Sequence, residues 1–123
     1  MNVGEVYVVF TTLARRPKDK ITLCVCTAQN LFVWINTLPN RSGIGQFPLG
    51  PSDHSALSHD CFLDLSRMTT FSAAELASAR GRGPISRALA ARILAFVASD
   101  PPKTLPPRQL RILIENLSRF AAG

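Results

Sequence analysis

The front of the chain carries three short runs rich in β-branched and aromatic residues, at 4–10, 21–26 and 31–35, each closed by turn formers. They are too short for helices and are separated by Arg15-Arg16-Pro17 and Ala28-Gln29-Asn30, so they read as successive strands of a small barrel. Asn30 tolerates the left-handed backbone that so tight a connection asks for. Antiparallel pairing of the second and third runs brings their outer ends together, which predicts Arg16 and Thr37 on one rim. The third run is the most aromatic, so a central strand is expected, with Trp34 largely buried in the core and its indole N–H bonded at the edge. Cys24 and Cys26, two positions apart, are expected on one strand face.

Residues 39–54 are dense in turn formers, and one short strand is expected there at 46–49. Loops of this length in compact domains tend to carry function. Two further short strands are expected at 61–65 and 68–71. At Ser72 the spacing changes from period two to helical. Ser72-Ala73-Ala74-Glu75 has the capping-box pattern, and its helix is expected to stop at Gly81. Ser86 is a candidate N-cap for a second helix that places Leu89, Ile93, Phe96 and Val97 on one face, ended by Asp100-Pro101-Pro102. Leu110, Leu113, Ile114 and Leu117 mark a third, amphipathic helix entered through Pro106-Pro107. The expectation is an α+β chain: β-barrel core over 1–71, then helices over roughly 72–80, 86–98 and 106–120.

At 123 residues, 46% hydrophobic and 18% charged, the chain can bury one sizeable core, and a single domain over 1–123 is expected. Its longest apolar stretches, 31–35 and 93–98, fall far below the roughly 18–20 residues of a bilayer span, and the N-terminus has no signal-peptide pattern. A cytoplasmic location without a membrane partner is therefore expected. Three cysteines, Cys24, Cys26 and Cys61, are an odd count that favours reduced thiols. His54, His59, Asp60 and Cys61 lie close together, but their spacing matches no zinc knuckle, so no metal is expected. Gly43-Ile44-Gly45 lacks the rest of a phosphate-binding loop, which argues against a nucleotide cofactor.

The net charge of +6 is unevenly placed. Residues 1–79 hold six basic and six acidic residues, whereas from Arg80 onward eight basic residues face only Asp100 and Glu115. Such a field attracts phosphate backbones or acidic protein segments; a solvated helix surface is the plain alternative.

Gly4-Glu5-Val6-Tyr7-Val8-Val9 as opening strand, Arg16-Pro17 before the second, Asn36-Thr37 ending the third, and Asp64-Leu65-Ser66-Arg67-Met68-Thr69-Thr70-Phe71 leading into a helix follow one another in an order that resembles the PemK/MazF family of toxin–antitoxin ribonucleases, over roughly residues 3–97. The resemblance implies an SH3-like β-barrel with helices appended. It also implies a metal-independent endoribonuclease that cuts single-stranded RNA by attack of a 2′-hydroxyl on the adjacent phosphate. In that chemistry Arg16 would stabilise charge on the phosphorane and Thr37 would orient the phosphate.

Two departures from the family pattern shape the candidate site. Ser66 stands where some members carry an acidic residue, and Asp64, two positions earlier and on the same side, is the candidate substitute. Lys18-Asp19-Lys20 and the short link after Arg16 alter the rim. His54 and His59, the only histidines, are candidates for acid–base work. Arg15, Lys18, Arg41 and Arg67 are candidate RNA contacts. The expected partners are RNA, an antitoxin protein and a second copy of the chain, with no cofactor. Each residue also has an ordinary reading, as a turn arginine, a strand-end threonine or a polar loop histidine. The competing functions are a non-catalytic SH3-like module binding protein or nucleic acid through the basic helices, and an assembly subunit docking through the Leu110/Leu113/Ile114/Leu117 stripe.

Overall fold

The computed structural model describes all of residues 1–123. In chain order the elements are β1 (Glu5–Thr11), β2 (Lys18–Cys26), β3 (Leu31–Asn36), β4 (Gln46–Leu49), β5 (Cys61–Thr70), α1 (Ala73–Ser78), β6 (Arg80–Pro84), α2 (Arg87–Ser99) and α3 (Pro107–Ala122). Local chemistry sets most of these boundaries. Asn30 turns the chain between β2 and β3 at φ 53°. Ser72 and Glu75 form the reciprocal capping box of α1. The Ser86 hydroxyl accepts from the Leu89 amide to start α2, and Pro107 occupies the first turn of α3, where its missing N–H leaves nothing unpaired.

The strands form one antiparallel sheet in the order β4-β5-β3-β2-β1-β6. α2 and α3 cover one of its faces. Leu89, Ala90, Ile93 and Val97 of α2, with Leu113 and Leu117 of α3, join Val6, Leu23, Val25, Val33, Ile35, Leu63 and Leu65 in the main core. Each such fully buried aliphatic side chain contributes about 1.5–3 kcal/mol. The opposite face carries a smaller cluster of Tyr7, Val9, Cys24, Phe32 and Phe71, partly roofed by α1 through Leu76.

Five expectations need correction. The sheet is open, because β4 and β6 are edges that do not pair with each other. β4 is four residues long and holds Pro48, while β6 reads Arg-Gly-Arg-Gly-Pro, so neither edge offers an unbroken row of backbone donors. One side chain bridges that gap, His54 after β4, which bonds the Gly83 carbonyl of β6 at 3.0 Å; its neighbour Asp53 ties the same loop to Arg92 of α2 at 2.9 Å.

β6 itself was hidden by its glycines and proline. It pairs with β1 through Glu5–Pro84, Tyr7–Gly81 and Val8–Arg80. The two runs at 61–65 and 68–71 form one strand, β5, containing a large bulge. Phe32 to Trp34 on β3 spans the same ladder interval as Thr69 back to Asp64 on β5. A second bulge, between Cys24 and Cys26, sends Cys24 to the minor cluster and Cys26 to the main core, so the two do not share a face. Trp34 is only partly buried. It sits on the minor-cluster side, and its Nε1 is enclosed without a hydrogen-bond partner. All three cysteines are buried and free, and no helix is long and apolar enough to cross a membrane.

Gly4 ties these parts together. Its amide donates to the Cys24 carbonyl at 2.9 Å, its carbonyl accepts from the Ile85 amide at 2.8 Å, and the Phe120 ring of α3 lies where a Cβ would be. With φ at +84°, Gly4→Ala combines backbone strain with a clash and should lower stability by about 2–4 kcal/mol in urea melts. The same change in a Phe120→Ala background should cost clearly less, since only the strain remains.

Candidate functional site

Period-two alternation sends Val33, Ile35, Leu63 and Leu65 toward the helices, so Trp34, Asn36 and Asp64 on the same strands face the other way. Trp34 stands opposite Thr22 on β2 and opposite Asp64 on β5, which places three polar strand segments side by side on the face without α2 and α3. Asp64 is buried at 5% exposure. Its Oδ1 accepts from Gln46 Nε2 at 2.8 Å, from the Ser66 amide at 3.0 Å and from the Ser66 hydroxyl; its Oδ2 receives a long bond of 3.5 Å from Asn36. Asn40 completes the group by donating to Ser66 Oγ at 3.0 Å.

The Asn36 carbonyl oxygen accepts from Lys20 Nζ. Lys20 is only 9% exposed, makes no salt bridge, and lies 5.2 Å from the centre of the Trp34 ring. Burial, and secondarily the charge of Lys18, push its ammonium down to about 8 against the opposing pull of Asp64. A buried ammonium satisfied by one amide and a ring face retains unused donors and an unneutralised charge. It is a ready anion site.

Those donors border a cleft of about 180 Å³ whose walls include Lys18, Lys20, Asn36, Thr37 and His59. Thr37 is exposed one residue past β3, at the end of the sheet where β2 begins. His59 is exposed in the β4–β5 loop. Its Nδ1 faces the Asp60 carbonyl at 2.9 Å and must carry the proton there, which leaves Nε2 unprotonated in the neutral ring and without a protein partner.

The other candidates fall elsewhere. Both nitrogens of His54 are engaged, Nε2 with the Gly83 carbonyl and Nδ1 with the Ala56 amide at 2.9 Å, so this histidine latches the loop to β6. Arg15 and Arg16 are exposed on the β1–β2 turn, at the same end of the sheet as Thr37 but outside the cleft lining. Arg41 is exposed in the β3–β4 loop. Arg67, carried out by the β5 bulge, lies 5.5 Å from the Trp34 ring centre. Asp64 is enclosed by its partners and reaches the cleft only through Asn36 and Lys20. No group of three or more His, Cys, Asp or Glu is placed to hold a metal.

Lys20, Asn36 and Trp34 were not singled out as site residues by sequence alone. The available signal was polar alternation, Lys18-x-Lys20-x-Thr22 facing Trp34-x-Asn36 and Asp64-x-Ser66, inside runs that otherwise read as core. No known protein family, no curated protein and no solved structure matches the chain.

Unfolded, Lys20 keeps its proton to its ordinary value of 10.5; folded, it releases it near 8. The unfolded state binds more protons between those values, so this group's contribution to stability rises with pH across the window and its charge burdens the fold below it. Cys24, pushed up to about 11 by burial, works in the opposite direction but is common to wild type and variant. The stability of Lys20→Met minus that of wild type should therefore be largest at pH 7 and fall as pH rises through 8 toward 10.5, read from urea midpoints at each pH.

Proposed function

We propose that the protein is a metal-independent endoribonuclease of the PemK/MazF toxin type, acting on single-stranded RNA, with the open six-stranded sheet as a variant of an SH3-like barrel. The observation that carries this reading is the convergence of Lys20, Thr37 and His59 on one cleft, with Lys18 at its wall. It supplies a buried cation for a phosphate, a hydroxyl to orient it and a histidine nitrogen free to take a proton.

In the proposed reaction His59 Nε2 accepts the proton of the 2′-hydroxyl as that oxygen attacks the adjacent phosphorus. The Lys20 ammonium and the Thr37 hydroxyl stabilise the charge that builds on the phosphorane. The bond from phosphorus to the 5′-oxygen breaks, and the leaving oxygen takes a proton from Lys20, whose lowered pKa suits donation near neutrality. The products are a 2′,3′-cyclic phosphate and a 5′-hydroxyl. Arg16 supplies a second cation from the turn above the rim, and Asp64 acts as a positioning residue that holds Asn36 against Lys20. A toxin of this type implies an antitoxin protein as partner.

A second reading is a non-catalytic nucleic-acid-binding module. It is favoured by the C-terminal charge: of the eight basic residues from Arg80 onward, Arg80, Arg92 and Arg119 have carboxylate partners, while Arg82, Arg87, Lys103, Arg108 and Arg111 have none.

Incubation of the pure protein with mixed single-stranded RNA in EDTA, followed by end-group analysis, separates the two. The enzyme reading expects cyclic-phosphate ends, lost by about 10²–10³-fold in Lys20→Ala, Thr37→Ala and His59→Ala and strongly reduced in Arg16→Ala. Salt-sensitive RNA binding with no cleavage by wild type, with or without divalent metal, leaves the binding module in its place.

A further inference from the structure

We propose that Trp34 is a stacking platform for one unpaired nucleobase, set beside the phosphate cleft by Lys20 and closed from the solvent side by Arg67. The inference rests on the ribonuclease reading and names where the substrate's base goes.

Three observations support it. Lys20 belongs to both places, bordering the cleft and standing 5.2 Å from the Trp34 ring centre, so a phosphate bound at its ammonium and a base laid on the indole belong to one nucleotide. Arg67 lies 5.5 Å from the same ring centre, is exposed, and has no carboxylate or hydrogen-bond partner. Its planar guanidinium is free to lift and stack on the outer side of an inserted base. Finally, Trp34 is a poor choice as mere cover for the sheet. Its enclosed Nε1 is the one buried side-chain polar atom without a partner, a loss of about 1–3 kcal/mol that leucine or phenylalanine would avoid. What tryptophan adds over those residues is its large π face.

The amides nearby, Asn36, Asn40 and Gln46, are bonded to one another's neighbours and to Asp64, so few groups remain to read a base edge. Stacking of this kind tolerates any base.

Trp34 is the only tryptophan, so its emission reports on the subsite directly. The test titrates the wild-type protein with a 2′-O-methyl oligonucleotide, which has no free 2′-hydroxyl and is not cleaved, and with an abasic phosphodiester strand of equal length. Saturable quenching by the base-bearing strand and about tenfold tighter binding than the abasic strand are expected. Measured by anisotropy of labelled strands, Trp34→Leu should lose that advantage, and Trp34→Phe should keep most of it. Equal affinity of the two strands for wild type, or an advantage that survives in Trp34→Leu, overturns the proposal; the wild-type comparison needs no variant to fold. Cleavage of RNA without any base advantage removes the stacking subsite alone. Failure to bind either strand at low salt removes it together with the ribonuclease reading.

Discussion

β3 lies between β2 and β5, and its pairing register governs both sides of the molecule. Val33 and Ile35 enter the core beneath α2 and α3, while Trp34 and Asn36 emerge on the other face against Lys20 and Asp64. A slip of one residue would drive an amide into the main core and expose two aliphatic side chains, so the hydrophobic demand of one face holds the polar arrangement of the other. The candidate site therefore draws its rigidity from the main core, whose Ile35, Leu57 and Cys61 also line the cleft. Bulges on either side of β3 adjust this frame locally: one separates Cys24 from Cys26, and the other carries Arg67 over Trp34.

The polar face is costly for the fold. Lys20 is buried without a counter-ion in contact, and Trp34 encloses an unpaired donor beside it. Groups held in such conditions destabilise a domain unless something outside the chain satisfies them, and this is the usual physical signature of a binding or reacting site. Asp64 has the opposite character, with three donors on one oxygen and a fourth on the other. Its carboxylate is spent on holding Ser66, Gln46 and Asn36, and its influence on the cleft passes through the Lys20–Asn36 bond. The His54 and His59 pair divides in the same way. One ring closes the gap between the sheet's edges, and the other keeps a free nitrogen at the cleft.

Much of the architecture was legible in advance because it depends on neighbours in sequence. The three front strands, the short strand at Gln46–Leu49, the Asn30 turn, the Ser72–Glu75 box and the three helices all arise from local propensity, capping and periodicity. β6 was missed because an edge strand of arginine, glycine and proline has no apolar alternation; it exists through its pairing with β1. Trp34 was misplaced for a related reason. An apolar strand announces two buried faces, and nothing in its own residues says that helices cover only one of them.

By itself the sequence determined which segments become strands and helices, where several of them start, and that the positive charge gathers after Arg80, since these follow from residues within a turn or two of one another. Tertiary structure decided that the sheet stays open, that Cys24 and Cys26 part company, that His54 braces while His59 stays free, and that Lys20 is buried beside Trp34. Each of these depends on which strand lies next to which and on where a ladder takes up an extra residue. Such choices are made by contacts between distant parts of the chain, and local pattern carries no record of them.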